Sequence, residues 1–245
     1  MQLALTAALR SAAMVVGALV LIAAPARAIQ VQLEIFTGGV ATGSLGSEAL
    51  GCVDTGPNTG SCSGAGLVVG DLYLENWNFN LDTDPVVGAG IAVQNLSLAT
   101  QQFTMIVTLP ITPILGATFT GGSVAGGVTD NDGNTATLST VAGSAFYTAL
   151  IDAAAYQTLL VDPISLTTNP YDSADLPSPA FGVPIPSQVG PAALASIGIQ
   201  LDFNLTAQDS ASFTGVFVVE PVPEPNTLML MGLGLFAVGR AVRAR

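Results

Sequence analysis

The 245 residues contain no histidine and no lysine, and all five basic residues are arginines: Arg10, Arg27, Arg240, Arg243 and Arg245. None lies between Ile29 and Glu220, a stretch that holds 16 of the 17 acidic residues, Glu224 being the exception. Each gap argues against a class of function. Without histidine there is no Ser-His-Asp triad, and without lysine no alternative base for a serine nucleophile. No glycine-rich phosphate loop ending in lysine is present. Phosphate contacts need cations, so this stretch is not expected to bind nucleic acid or to be drawn to anionic lipid. It also makes no salt bridge within itself. Its carboxylates must be solvated, hydrogen-bonded to the backbone or bound to metal. Cysteine is scarce as well, with Cys52 and Cys62 the only two. They are not spaced as Cys-x-x-Cys, have no basic neighbour to hold a thiolate, and are too few for a zinc site without histidine.

Glycine (27) and proline (15) are abundant, while charged residues make up 9% of the chain, a balance that favours many strands and turns over long charged helices. The length suits one sizeable domain or two small ones. Residues 1–28 read as a secretory signal: Arg10, an apolar core over 12–24, then Ala26-Arg27-Ala28 before a mature start at Ile29. A retained N-terminal anchor is the alternative. In an oxidising compartment Cys52 and Cys62 are expected to form a disulfide closing the turn-rich loop 53–61.

Hydrophobic alternation organises the rest. Residues 30–36 read as a strand with Val31, Leu33 and Ile35 on one face. Over 72–81 the phase slips between Leu72/Leu74 and Trp77/Phe79/Leu81, which predicts a bulge near Glu75-Asn76. Further strands are expected at 91–99, 102–109, 114–120, 124–129 and 135–141, the last after an Asp132-Gly133 hairpin turn. Residues 144–162 fit either a helix or a strand followed by a helical turn. Seven prolines over 163–191 read as a long ordered or semi-ordered loop. Strands at 196–206 and 211–219 close a single acidic domain, residues 29–220. The fold class expected is all-β, an antiparallel β-sandwich of jelly-roll-like form, followed by a single apolar C-terminal helix.

Three constellations are candidates for chemistry. Asp130, Asp132 and Asn134 place oxygen ligands at alternate positions, as in the opening of a calcium loop. The pattern then fails, with Thr135 where glycine belongs and Val141 where the bidentate glutamate belongs. The readings are a metal-free turn or a weak calcium site. Asp82 and Asp84 are a lesser case of the same pattern. Asp71 and Glu75 near Trp77 could be imagined as a glycosidase pair, but nothing marks an acid/base couple. Trp77 with Tyr73 and Phe79 could stack on sugar, although alternation puts Trp77 and Phe79 on the core face. The triplets Asn95-Leu96-Ser97 and Asn204-Leu205-Thr206 match glycosylation acceptors and are read as chance.

The most specific stretch is 221–245. Pro221, Pro223 and Pro225 hold a short extended segment around Glu224, an apolar run covers 228–238, and Arg240, Arg243 and Arg245 end it. An apolar run followed by cations is a membrane stop signal, although this run is short for a full span. The order Val222-Pro223-Glu224-Pro225, apolar segment, basic end resembles the PEP-CTERM sorting signal. Its basic part is interrupted by Ala241, Val242 and Ala244. The resemblance implies handling by an exosortase, at least transient membrane anchoring through the tail, and delivery to the cell envelope, cell surface or matrix. The function expected is non-enzymatic, a structural or interaction role in which exopolysaccharide is one partner, with no cofactor beyond weak calcium. The alternative is a calcium- or glycan-binding surface module, and behind it a secreted polysaccharide hydrolase.

Overall fold

The computed structural model describes residues 29–223, Leu115 excepted, and every regular element among them is a strand. In chain order these are β1 (Gln32–Thr37), β2 (Val40–Gly46), β3 (Cys52–Asp54), β4 (Thr59–Val69), β5 (Leu72–Asp82), β6 (Val86–Asn95), β7 (Gln101–Pro110) and β8 (Thr118–Thr129). They continue as β9 (Thr137–Ser139), β10 (Ala145–Ile151), β11 (Ala154–Val161), β12 (Ser165–Thr167), β13 (Ser173–Asp175), β14 (Ala180–Phe181), β15 (Gln188–Gly190), β16 (Ser196–Leu205) and β17 (Ser210–Pro221). The signal segment 1–28 and the expected apolar helix of the tail lie outside the described residues.

Two antiparallel sheets pack in a sandwich-like arrangement. Sheet A runs β11-β10-β16-β7-β1-β2, with β9 beside β16 and β12 beside β9. Sheet B runs β13-β8-β17-β6-β5-β4-β3, with β14 and β15 following β13 along the same edge of β8. The path mixes crossings between the sheets with a meander, β3 to β6, inside sheet B, so it is only partly jelly-roll-like.

Alternation explains the core. In β7 the buried Phe103, Met105, Val107 and Leu109 point inward and Thr104, Ile106 and Thr108 outward. In β16, Ile197, Ile199, Leu201, Phe203 and Leu205 do the same. The sheets meet through rings, Phe203 against Phe213 at 4.7 Å between centroids, and Tyr147 donates its hydroxyl across the gap to the Val216 carbonyl. The slip expected in β5 is present, as a register shift between Leu74 and Asn76. Trp77 and Phe79 are core residues, and Trp77 Nε1 donates to the Leu50 carbonyl at 2.9 Å.

Several elements differ from their sequence-based expectation, each for a physical reason. β6 stops at Asn95 rather than running to 99. The Asn95 side chain is fully buried and donates to the carbonyls of Ala99, Leu205 and Thr206, which ends the strand. Asp132-Gly133 is not a hairpin turn. β8 already has β17 on one side and β13 on the other, so β9 crosses to sheet A. Residues 118–129 are one strand, although glycines inside it read as breaks. A Cβ at Gly122 would come within 2.7 Å of the Phe181 ring and 2.8 Å of the Val216 carbonyl, so the strand needs glycine for close packing. Residues 144–162 are a β10–β11 hairpin turning at Asp152 and Ala153, both with positive φ. The proline-rich segment forms short strands, three of which pair in succession with β8. β2 and β4 were not foreseen, because their glycine-, serine- and threonine-rich sequences alternate poorly.

The topology defines two poles. At one, Ile29 N–H donates to the Asp54 carboxylate and Val222 N–H to the Ala117 carbonyl, so the described chain enters and leaves at the same end of sheet B. At the opposite pole lie the turns 38–39, 70–71, 96–100, 130–136 and 206–209.

Candidate functional site

The acidic turn 130–134 sits at the far pole and is tied by its own carboxylates. Asp130, buried to 3% exposure, accepts from the N–H groups of Gly133 and Tyr171, the latter at 2.6 Å. Asp132 accepts from the backbone N–H and the side-chain amide of Asn134. Asp209, fully buried in the β16–β17 turn, accepts from Asn131 N–H and the Thr206 hydroxyl. Single carboxylate oxygens of Asp130, Asp132 and Asp209 lie within 4.8 Å of one another. The structure thus brings Asp130 and Asp132 together with Asp209, while the Asn134 amide is turned onto Asp132. Nothing local in the sequence ties Asp209 to the 130–134 turn, because the contact depends on β8 and β17 being neighbours.

The electrostatics of this knot follow from its donors. Burial pushes the Asp209 carboxyl above its ordinary value, and the charges of Asp130 and Asp132 push the same way, against hydrogen bonds from Thr206 and Asn131. Burial would also raise Asp130, but N–H groups of Tyr171, Thr135 and Gly133 overcome it and hold its carboxyl below the ordinary value. These three carboxylates are the ones that can offer oxygens to a hard cation, although each already serves backbone or side-chain donors.

A second feature is a trough on the outer face of sheet A. Inward Leu33 and Ile35 leave Glu34 outward in β1, and the register sets Ser44, Glu34, Ile106, Gln200 and Thr148 in one row across β2, β1, β7, β16 and β10. The adjacent row is Gly46, Gln32, Thr108, Gly198 and Leu150. Two depressions follow these rows, of about 120 Å³ around Glu34, Ile106, Leu150 and Gly198 and about 330 Å³ around Gln30, Gln32, Ser44 and Pro110, and Thr108 borders both. From sequence Ile106 stands out as an apolar residue on the outer face of its strand beside Thr104 and Thr108, but outward positions on separate strands look alike until register lines them up.

The remaining candidates take structural places. Glu75 accepts from the Ser210 hydroxyl. Asn204 is half-buried and donates to the Thr140 carbonyl. Cys52 and Cys62 are disulfide-bonded and directly paired between β3 and β4. Of the tail motif, Val222 and Pro223 are described, beyond the end of β17, while Glu224, Pro225, Arg240, Arg243 and Arg245 lie outside the described residues. Among the described residues no helix is long and apolar enough to cross a membrane.

Residues 221–245 match the PEP-CTERM protein-sorting motif. The motif marks an exported protein that an exosortase handles and that is sorted to the cell envelope or surface. A comparison with curated proteins finds no match.

Proposed function

We propose that this PEP-CTERM-motif protein is a non-enzymatic structural or interaction component of the cell surface or of an extracellular biofilm matrix, with exopolysaccharide among its partners and the tail as an at least transient membrane anchor. One observation carries the delivery on which this reading rests: β17 ends at Pro221, where the sorting motif begins, so the body is joined directly to its address. The sequence supports the non-enzymatic part, since histidine and lysine are lacking and no acid/base couple is marked. Replacing Pro223, Glu224 and Pro225 with alanine is expected to leave the body folded but undelivered, read by cell fractionation and intact mass. The wild-type mass should begin at Ile29 and end near Pro223 to Pro225. Normal surface delivery of the variant would refute the sorting role. Turnover of a polysaccharide by the wild type would replace the non-enzymatic reading with a hydrolase. The arrival of Asp209 beside Asp130 and Asp132 favours a second reading, weak calcium uptake at the far pole.

A further inference from the structure

We propose that the trough on the outer face of sheet A is a binding site for a neutral polysaccharide chain lying across the strands. This deepens the interaction role above and rests on that reading for the body being displayed where such polymers are.

Leu150 is 7% and Thr148 8% exposed although sheet B packs on the other side of their sheet, and Ile106 and Gln200 are half-buried. Outward side chains are this shielded where a surface is concave. The floor is low where Gly198 has no side chain and Thr108 a short one, and Glu34, Gln32 and Gln200 lie in the same two rows beside them. The two rows cross five strands, about 19 Å at the usual spacing between strands. That is long enough for several sugar rings, about one per strand.

The chemistry of the lining selects the ligand. Half-buried Ile106, in the same depression as the bare Gly198 backbone, offers a small aliphatic surface, which suits the C–H face of a pyranose. Amides both donate and accept, as hydroxyl-rich chains require. Gln32 donates to Glu34 at 3.2 Å and to Ser44 at 3.0 Å, so the β1–β2 end of the trough is pre-organised. The Gln200 amide makes no side-chain hydrogen bond among the described residues, and is available to a ligand. Charge decides between polymers. With 16 acids and no base from Ile29 to Glu220, polyuronates and other anionic chains are repelled. Glu34 is the one carboxylate in the lining and accepts from hydroxyls.

The test is affinity electrophoresis of the exported protein recovered from the cell surface, in gels containing glucan, mannan, galactan or a polyuronate. At least one neutral polymer should retard it and the polyuronate should not. Retardation should persist in about 0.5 M sodium chloride, because no ion pair is involved. Thr108→Glu puts bulk and charge where both depressions meet, and should weaken binding about tenfold or more. Its circular dichroism and melting temperature should stay those of the wild type. Asn78→Glu, on β5 of sheet B, should bind normally. Should Thr108→Glu fail to fold, Gln200→Leu is read instead and should also lose binding. A protein that reaches the surface but is retarded by no neutral polymer overturns this inference alone, as does a Thr108→Glu variant that folds and binds as well as the wild type. Retardation by a neutral polymer that is erased by salt also overturns it. A protein that never leaves the cell defeats the parent reading instead.

Discussion

Asp209 is a carboxylate in a place that does not suit a charge. It lies buried beside Asp130 and Asp132, and its two donors, Asn131 N–H and the Thr206 hydroxyl, do not offset that setting. A carboxyl whose pKa is raised by folding holds its proton more tightly in the folded protein. Its contribution to stability is present below the ordinary value of 3.8 and is lost as pH rises through the raised value. Asp130 and Asp152 act in the opposite sense. Burial would raise both, but backbone N–H groups lower them, from Leu194, Ala195 and Ser196 in the case of Asp152. Their contributions are present above the ordinary value and are lost as pH falls through the lowered one. Asp209→Asn should therefore raise the melting temperature at pH 7 by a few degrees at most. The Thr206 hydroxyl can turn to the Thr137 carbonyl, 3.3 Å away, and accept from the new amide. The gain should vanish as pH falls below the ordinary aspartate range. A difference independent of pH in thermal melts would mean that the substitution acts through shape rather than charge. Asp130 and Asp132 were legible as a pair from spacing alone. Asp209 was not, since only the β8–β17 pairing brings it to them.

At the scale of elements, the proline-rich segment does what its composition conceals. β13, β14 and β15 pair with β8 at 129–127, 123–122 and 120–118 and so cover an edge that would otherwise offer unpaired backbone. Prolines between the pieces keep them short and leave no long new edge behind. Composition correctly forbade a helix or a central strand there. It could not show that broken pieces would find one partner strand. Clean alternation, by contrast, made β1, β5, β7, β16 and β17 readable almost residue by residue, because one face of each is fully buried. The opposite edge of sheet B depends on a covalent link. β3 has three residues and is joined to β4 through the directly opposed Cys52 and Cys62. The Cys52→Ser/Cys62→Ala protein should lose about 2–3 kcal/mol in urea unfolding, as the chain-entropy account of a loop this size gives. A loss far below that would mean β3 contributes little once untied.

For the whole molecule the dominant quantity is uncompensated charge. The 16 carboxylates between Ile29 and Glu220 repel one another and have no cation in that stretch to pair with, so screening can only help the folded state. Sodium chloride should raise the melting temperature steadily, where a protein held by surface ion pairs would show a loss or no change. Calcium at matched ionic strength should raise it further if Asp130, Asp132 and Asp209 take the ion, and an equal rise would remove that reading.

The position of β17 has a mechanical consequence. It is an interior strand, paired with β8 from Ser210 to Pro221 and with β6 from Ser210 to Val218, and the sorting motif continues directly from its end. Tension transmitted from the tail runs along the strand axis and loads both ladders in shear, so many hydrogen bonds must fail at once. An edge strand such as β2 or β3, peeled from its end, would release them one after another. Where the tail serves as an anchor, the body is thereby gripped through the part of its fold most resistant to being drawn out.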